Sequence, residues 1–205
     1  RNINILTPDW TLIKTMADFD QVTFDKPAYI LKPVAEGSSI GISKESVVRT
    51  REHAVSRADY LLKMYKEPVL LQEYLEFTEV TIGVIEIDGK PHALTPLVVV
   101  NAGISDVQYK RTSAITDKSI FIENEGLVKK VKNIAVRIFE EFGCRDTARI
   151  DFKVDTAENI YFIEINPLTD YTPRKDFCKS AFASGLDYEE LLKKIILNAW
   201  RRSRT

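Results

Sequence analysis

Cysteine and histidine are nearly missing from this chain, with two of each. Cys144 and Cys178 are enough for one disulfide, but they form no C-x-x-C and no metal-ligand spacing. A reduced, cytoplasmic protein is the expectation. With only His53 and His92 available, a His-rich zinc site is not expected. Long hydrophobic runs are also missing. Stretches such as Leu97–Val100 are far too short to span a bilayer, and no signal peptide opens the chain, so no membrane partner is expected. Charge of one sign is absent as well. Lys+Arg 29 against Asp+Glu 30 leaves a net charge of −1, which provides no bulk attraction for nucleic acid. The opening Arg1-Asn-Ile-Asn-Ile-Leu6 lacks an initiator Met and reads like the interior of a protein, so a fragment is expected.

What remains is an ordinary globular composition, 44% hydrophobic and 29% charged over 205 residues. That is enough for one sizeable core or two small lobes. Residues 28–32 read as a strand ending at Pro33, which cannot donate to a ladder. The small, flexible segment Glu36-Gly-Ser-Ser-Ile-Gly41 follows. Residues 45–66 predict a helix, because Val47, Val48, Ala54, Ala58, Leu61, Leu62 and Tyr65 recur near the helical period before Pro68. Residues 69–75 have the length and apolarity of a strand. Val80–Ile87 and His92–Val100 flank Asp88-Gly89, a hairpin signal. Asn101–Asn124 is polar and irregular, a length usually reserved for functional or disordered loops. Residues 127–142 are amphipathic and stop at Gly143. Strands at 148–154 and 160–165 follow, joined by Asp155–Asn159. A last helix spans 188–202, with Leu191, Leu192, Ile195, Ile196, Ala199 and Trp200 inward. Hairpins outnumber crossovers, which favours an α+β fold over a doubly wound parallel sheet.

Three segments carry chemistry. In Arg149-Ile-Asp151 and Glu164-Ile-Asn166 the polar residues are two apart, so each pair projects from one side of its strand. Ile150, Phe152, Ile163 and Ile165 are expected on the other side. A hairpin would bring the four polar groups together. Hard oxygens from Asp151, Glu164 and Asn166 suit Mg²⁺ shared with phosphates, and Arg149 beside them could neutralise a developing anion. An ordinary solvated sheet face with cross-strand ion pairs explains the same pattern about as well. The second segment is Lys32 with the Glu36–Gly41 loop, whose amides and hydroxyls could approach a phosphate. Plain turns more often look like this. The third is Gln72-Glu73-Tyr74-Leu75 with Glu79, an apolar strand running into groups able to face a purine and a ribose.

Together, and in this order, the segments resemble the ATP-grasp ligases, specifically the D-alanine–D-alanine ligase family. The resemblance covers essentially the whole chain. It implies an α+β ATP-grasp fold with two α+β subdomains, residues 1–79 and 80–205, sandwiching the nucleotide, and an N-terminal domain that is absent. It implies that Lys32 contacts the ATP phosphates. The loop Glu36, Gly37, Ser38, Ser39 would close over them, with Ser38 near the substrate. Gln72, Glu73, Tyr74 and Leu75 would hold the adenine, and Glu79 the ribose. Asp151, Glu164 and Asn166 would hold two Mg²⁺ ions, with Mn²⁺ an alternative and Glu164 bridging. Arg149 would stabilise the acyl-phosphate and the tetrahedral intermediate, and Lys110 would touch phosphate. The partners implied are ATP and small-molecule carboxylate and amine substrates, amino acids or a peptide. A homodimer is implied too.

The family pattern is broken at two points: Asp170 stands where a Gly backbone donates to an oxyanion, and Gln72 where an acid is common. The reading is therefore a carboxylate–amine ligase working through an acyl-phosphate. The alternative is a nucleotide-binding module without turnover, acting as a regulatory or structural partner.

Overall fold

The computed structural model describes residues 4–100 and 118–204. They form two compact units, one of residues 8–76 and one of residues 4–7, 77–100 and 118–204.

In the first unit, β1 (Trp10–Ile13), β2 (Tyr29–Pro33), β3 (Val47–Val48) and β4 (Val69–Glu73) make an antiparallel sheet in the order β1-β4-β2-β3. Helix α1 (Arg51–Tyr65) lies on one face. Its Ala54, Ala58 and Leu61 join Ile13, Tyr29, Leu31, Val69 and Leu71 in a core. Strand alternation sends Ile30 and Lys32 to the opposite face. Lys32 stands across from Leu70 and Ile30 from Gln72, with Leu12 and Trp10 beyond them on β1. The helix begins later than residue 45. Val47 and Val48 pair with Ile30 and Tyr29 instead, and the Thr50 side chain caps α1 by accepting from the His53 N–H. Two adjacent β-branched residues fit a strand at least as well as a first helical turn, and pairing decides.

The second unit is built on β5 (Thr78–Ile87), β6 (Lys90–Ala93), β7 (Leu97–Val100), β8 (Lys118–Phe121), β9 (Thr147–Val154) and β10 (Ile160–Asn166). The sheet runs β10-β9-β5-β7-β8, and β6 pairs with the far half of β5. The predicted 92–100 strand is thus two strands. Leu94 leaves the β6 ladder with its N–H still donating to the Gly83 carbonyl at 2.8 Å. Pro96 then has no N–H to offer before β7 starts. β8 falls inside the span expected to be irregular.

Helix α2 (Glu125–Glu141), capped by Asn124, covers one face of this sheet. Val131, Ala135, Ile138 and Phe139 bury against Val80, Ile82, Val84, Ile150 and Phe152. Among the described residues of this unit, helices cover the other face only in part. Helices α3 (Asp176–Ala183) and α4 (Tyr188–Arg202) set Phe177, Cys178, Ala181 and Leu191 on Ile85 and Leu94. Helix α3 was not anticipated. It passes closest at Gly83, where a Cβ would meet Leu94 Cδ1 at 2.7 Å and the Phe177 ring at 3.0 Å.

Helix α4 matches its predicted span, and Leu191 and Ile195 pack inward as expected, but Ile196, Ala199 and Trp200 do not. Ile196 and Trp200 are 65% and 51% exposed, whereas Asn198 turns inward and donates to the Glu86 carbonyl. Arg202, paired to Asp146 at 2.6 Å, and Arg201, paired to Asp88, fix this rotation at the helix end. Both cysteines are free thiols, raised in pKa by burial. No described helix is long and apolar enough to cross a membrane.

Candidate functional site

The half of the six-stranded sheet that α3 and α4 do not cover carries the polar cluster. β9 alternates buried Ala148, Ile150 and Phe152 with Arg149, Asp151 and Lys153. β10 places Glu164 opposite Asp151 and Asn166 opposite Arg149. Simple alternation would not have done this. Phe162 pairs with Phe152 on the core side, and a β-bulge then inserts Ile163 before Glu164. The bulge resets the phase by one residue, so Glu164 and Asn166 face away from the core while Phe162 and Ile165 face into it. The expectation that Ile163 joins Ile165 in the core is therefore corrected. Phe162 takes that place, its ring edge-on to Phe152.

The cluster is tightly bonded. Arg149 Nε lies 3.0 Å from Asp151 Oδ1, and its terminal nitrogen 2.8 Å from Oδ2. The same nitrogen is 3.7 Å from Glu164. Asn166 donates to Glu164 at 3.0 Å and to Asp151 at 3.4 Å. Thr81, opposite Asp151 on β5, donates to Asp151 Oδ1 at 2.5 Å. Burial works against the Arg149 charge. The Asp151 charge and hydrogen bonds, then Glu164 and Asp176, outweigh burial and raise the guanidinium above its ordinary value. The sequence reading missed Thr81 and Asp176. Thr81 had a signal: it lies two residues from Glu79 on one strand, hence on the same face.

Among the described residues no group of three or more His, Cys, Asp or Glu is arranged for a metal. Two carboxylates and an amide nevertheless fit Mg²⁺, which takes one or two protein carboxylates and completes its shell with phosphate and water. Glu164, half exposed, leaves room for those outer ligands. Glu79 shares the face one step along but is held by Lys153 at 3.4 Å.

The first unit holds the remaining candidates. Lys32 and Gln72 share the sheet face away from α1, Gln72 being nearly buried. The Glu73 side chain turns to Lys26 and to the Asp9 N–H, and the Glu73 N–H donates to the Asp9 carbonyl at 2.7 Å. Tyr74 N–H is bonded to the Ala28 carbonyl, and Leu75 is buried. After β2 the loop exposes Glu36, Gly37 and Ser38, while Ser39 is half-buried. Ser38 and Ser39 both adopt left-handed backbone, φ 55° and 60°. That is rare for side-chain-bearing residues, and it closes a tight turn in which the Ile40 N–H donates to the Gly37 carbonyl at 3.0 Å. Lys110 lies outside the described residues.

Antiparallel sheets, a small-residue loop leaving β2 beside Lys32, and a hard-oxygen cluster on a β-hairpin define a protein of ATP-grasp fold. The chain belongs to the D-Ala–D-Ala ligase C-terminal family, whose model matches residues 5–197. It is 29% identical to a D-alanine–D-alanine ligase of Aquifex aeolicus over 96% of this chain and 65% of that protein. A D-alanine–D-alanine ligase of Syntrophotalea carbinolica is 31% identical over 95% of this chain and 61% of the relative. In fold it is similar to the crystal structure of D-alanine–D-alanine ligase from Bacillus anthracis complexed with ATP. The TM-score is 0.74 at 23% identity, with 98% of this chain and 62% of that one covered.

Proposed function

We propose that this chain is the nucleotide-binding and catalytic part of an ATP-dependent ligase that joins a carboxylate to an amine through an acyl-phosphate, similar to D-alanine–D-alanine ligase. The observation that carries the reading is the convergence of Arg149, Asp151, Glu164 and Asn166 on one sheet face, beside the part that α3 and α4 cover.

In this reading Asp151, Glu164 and Asn166 would hold the Mg²⁺, two ions in all, with Mn²⁺ able to substitute. The metal, when bound, offsets the charge on the transferring phosphoryl oxygens. Arg149 acts beside it. Locked by Asp151, the guanidinium needs no reorganisation to meet the negative charge that builds on the acyl-phosphate and on the tetrahedral intermediate. Lys32 and the Glu36–Ser39 loop bind phosphate. The backbone of Gln72–Leu75 binds the purine, and Glu79 the ribose. The substrates are an amino acid or peptide carboxylate that attacks the γ-phosphate and an amine that then displaces phosphate. Water must be excluded, or the acyl-phosphate hydrolyses.

Asp170 was the main feature favouring a module without turnover. Its carboxylate accepts from the Thr172 N–H at 2.8 Å, folded back on its own chain. It is therefore not a charge aimed freely at an oxyanion.

The test uses the complete protein with ATP, Mg²⁺ and a panel of D- and L-amino acids, assaying phosphate release. Release stimulated by one pair of amino acids is expected. Nucleotide binding without any stimulated release would overturn the ligase reading.

A further inference from the structure

The Glu36–Gly41 loop hangs between two anchored ends. At its start, the Val34 N–H donates to the Pro68 carbonyl at 3.1 Å and the Ala35 N–H to the Glu67 carboxylate at 3.2 Å. At its end, Gly41 sits at φ +75°, so close to β2 that a Cβ would meet Pro33 Cγ at 2.6 Å. The Gly41 carbonyl is gripped from the side by Arg57 of α1. One guanidinium nitrogen donates to it at 3.0 Å and to Ser46 Oγ at 3.0 Å. Ser46 Oγ donates to the same carbonyl at 3.3 Å and accepts from the Ser43 N–H at 3.0 Å.

Arg57 is an odd residue for this place if its role is only to fill space. Its side chain is 10% exposed, and its Nε is buried without a partner. Its ion pair, to Glu45 at 3.5 Å, runs to a carboxylate that is 84% exposed, where screening leaves little attraction. An unpaired buried donor costs stability, and an apolar chain of similar length would pack over Tyr60 without that cost. An apolar chain cannot hold the Gly41 carbonyl. The geometry points to a mechanical role. We propose that Arg57 is a positioning residue that makes the Gly41 end of the loop a fixed hinge, so that exposed Glu36–Ser38, with half-buried Ser39, closes over a nucleoside triphosphate's phosphates as one piece. The proposal rests on the nucleotide reading above and adds the residue that sets the loop's geometry.

The experiment compares the complete wild-type protein with Arg57→Met and Arg57→Lys. Two measurements are made: steady-state KM for ATP and kcat, and cleavage after Glu36 by a glutamate-specific protease with and without ATP–Mg²⁺, followed by mass spectrometry. In wild type, nucleotide should protect the Glu36–Gly37 bond. In Arg57→Met the protection should largely vanish and KM for ATP rise about tenfold, with kcat changed less, because binding that depends on an ordered cover is lost. Arg57→Lys keeps one donor to Gly41 and should recover part of both. Unchanged KM and unchanged protection in Arg57→Met would overturn the hinge role alone. So would a loss of kcat and of ATP affinity together, in step with the melting temperature and with no rescue by Lys, because that is the signature of a merely structural residue. Wild-type protein that shows no protection and no ATP dependence would overturn this proposal together with the nucleotide reading.

Discussion

One face of the six-stranded sheet is split into two halves with opposite uses, and neighbouring residues of β5 fall on either side of the divide. Gly83 and Ile85 lie under α3 and α4, where Phe177 and Leu191 seal the surface. Thr81, two residues earlier on the same strand, points into the polar cluster and bonds Asp151. Gly83 stands opposite Arg149, so the boundary runs beside the guanidinium. The covered half gives β5 a second buried side that ends beside Arg149. The half not covered by these helices leaves Glu164 half exposed, with Arg149 and Asp151 mostly buried beside it. A site built this way has its side chains held by ladder pairing and by each other, not by loops.

Three changes test that division, beginning with the largest expected effect. Glu164→Gln lies in the open half and should reduce turnover about 10²- to 10³-fold, the scale of losing one electrostatic partner of a transition state. Because Glu164 is half exposed, the melting temperature should move by no more than about 2 °C. Thermal melts alongside phosphate release decide the matter. Equal loss of fold and activity would make Glu164 a structural residue.

Gly83→Ala lies in the covered half and should do the reverse. The added methyl must displace Leu94 or Phe177, which costs about 1–3 kcal/mol of overpacking in urea unfolding. A neutral result would mean that α3 does not pack there as described.

The smallest effect concerns Asp170, in the connection from the open half to α3. Hydrogen bonds from the Thr172 side chain and backbone, then the charges of Lys175 and Arg149, hold its carboxyl below the ordinary value of 3.8. A carboxyl depressed in the folded state stabilises the fold when ionised, above its unfolded value, and loses that contribution as pH falls through its folded value. Asp170→Asn should therefore melt slightly below wild type at about pH 7, with the gap closing in acid below about pH 3. A gap that persists in acid would show that the charge is not responsible.

Much of this was readable from the residues alone, and the failures have physical causes. The spans of β9, β10 and α4 and the Asp88-Gly89 hairpin follow from local periodicity and turn chemistry, which depend on few distant partners. Helix α3 escaped notice because Asp176–Ala183 is only eight residues, too short for its pattern to stand out from the loop before it. The start of α1 was misplaced because Val47 and Val48 suit either structure until β2 is there to pair with. On α4, Ile196 and Trp200 satisfied the helical period, yet the side-chain bonds of Asn198, Arg201 and Arg202 turned the helix to leave them outside.

The candidate site divides in the same way. The sequence by itself determined which polar groups are available and that Arg149 and Asp151 share a side, because alternation along a strand is a property of one strand. Only the tertiary structure decided that Glu164 and Asn166 meet them, since that depends on the bulge at Ile163 and on pairing across strands. It also decided that Thr81 joins the cluster and that Arg57 grips a loop sixteen residues away. Contacts between distant residues are set by register and packing, which no local pattern encodes.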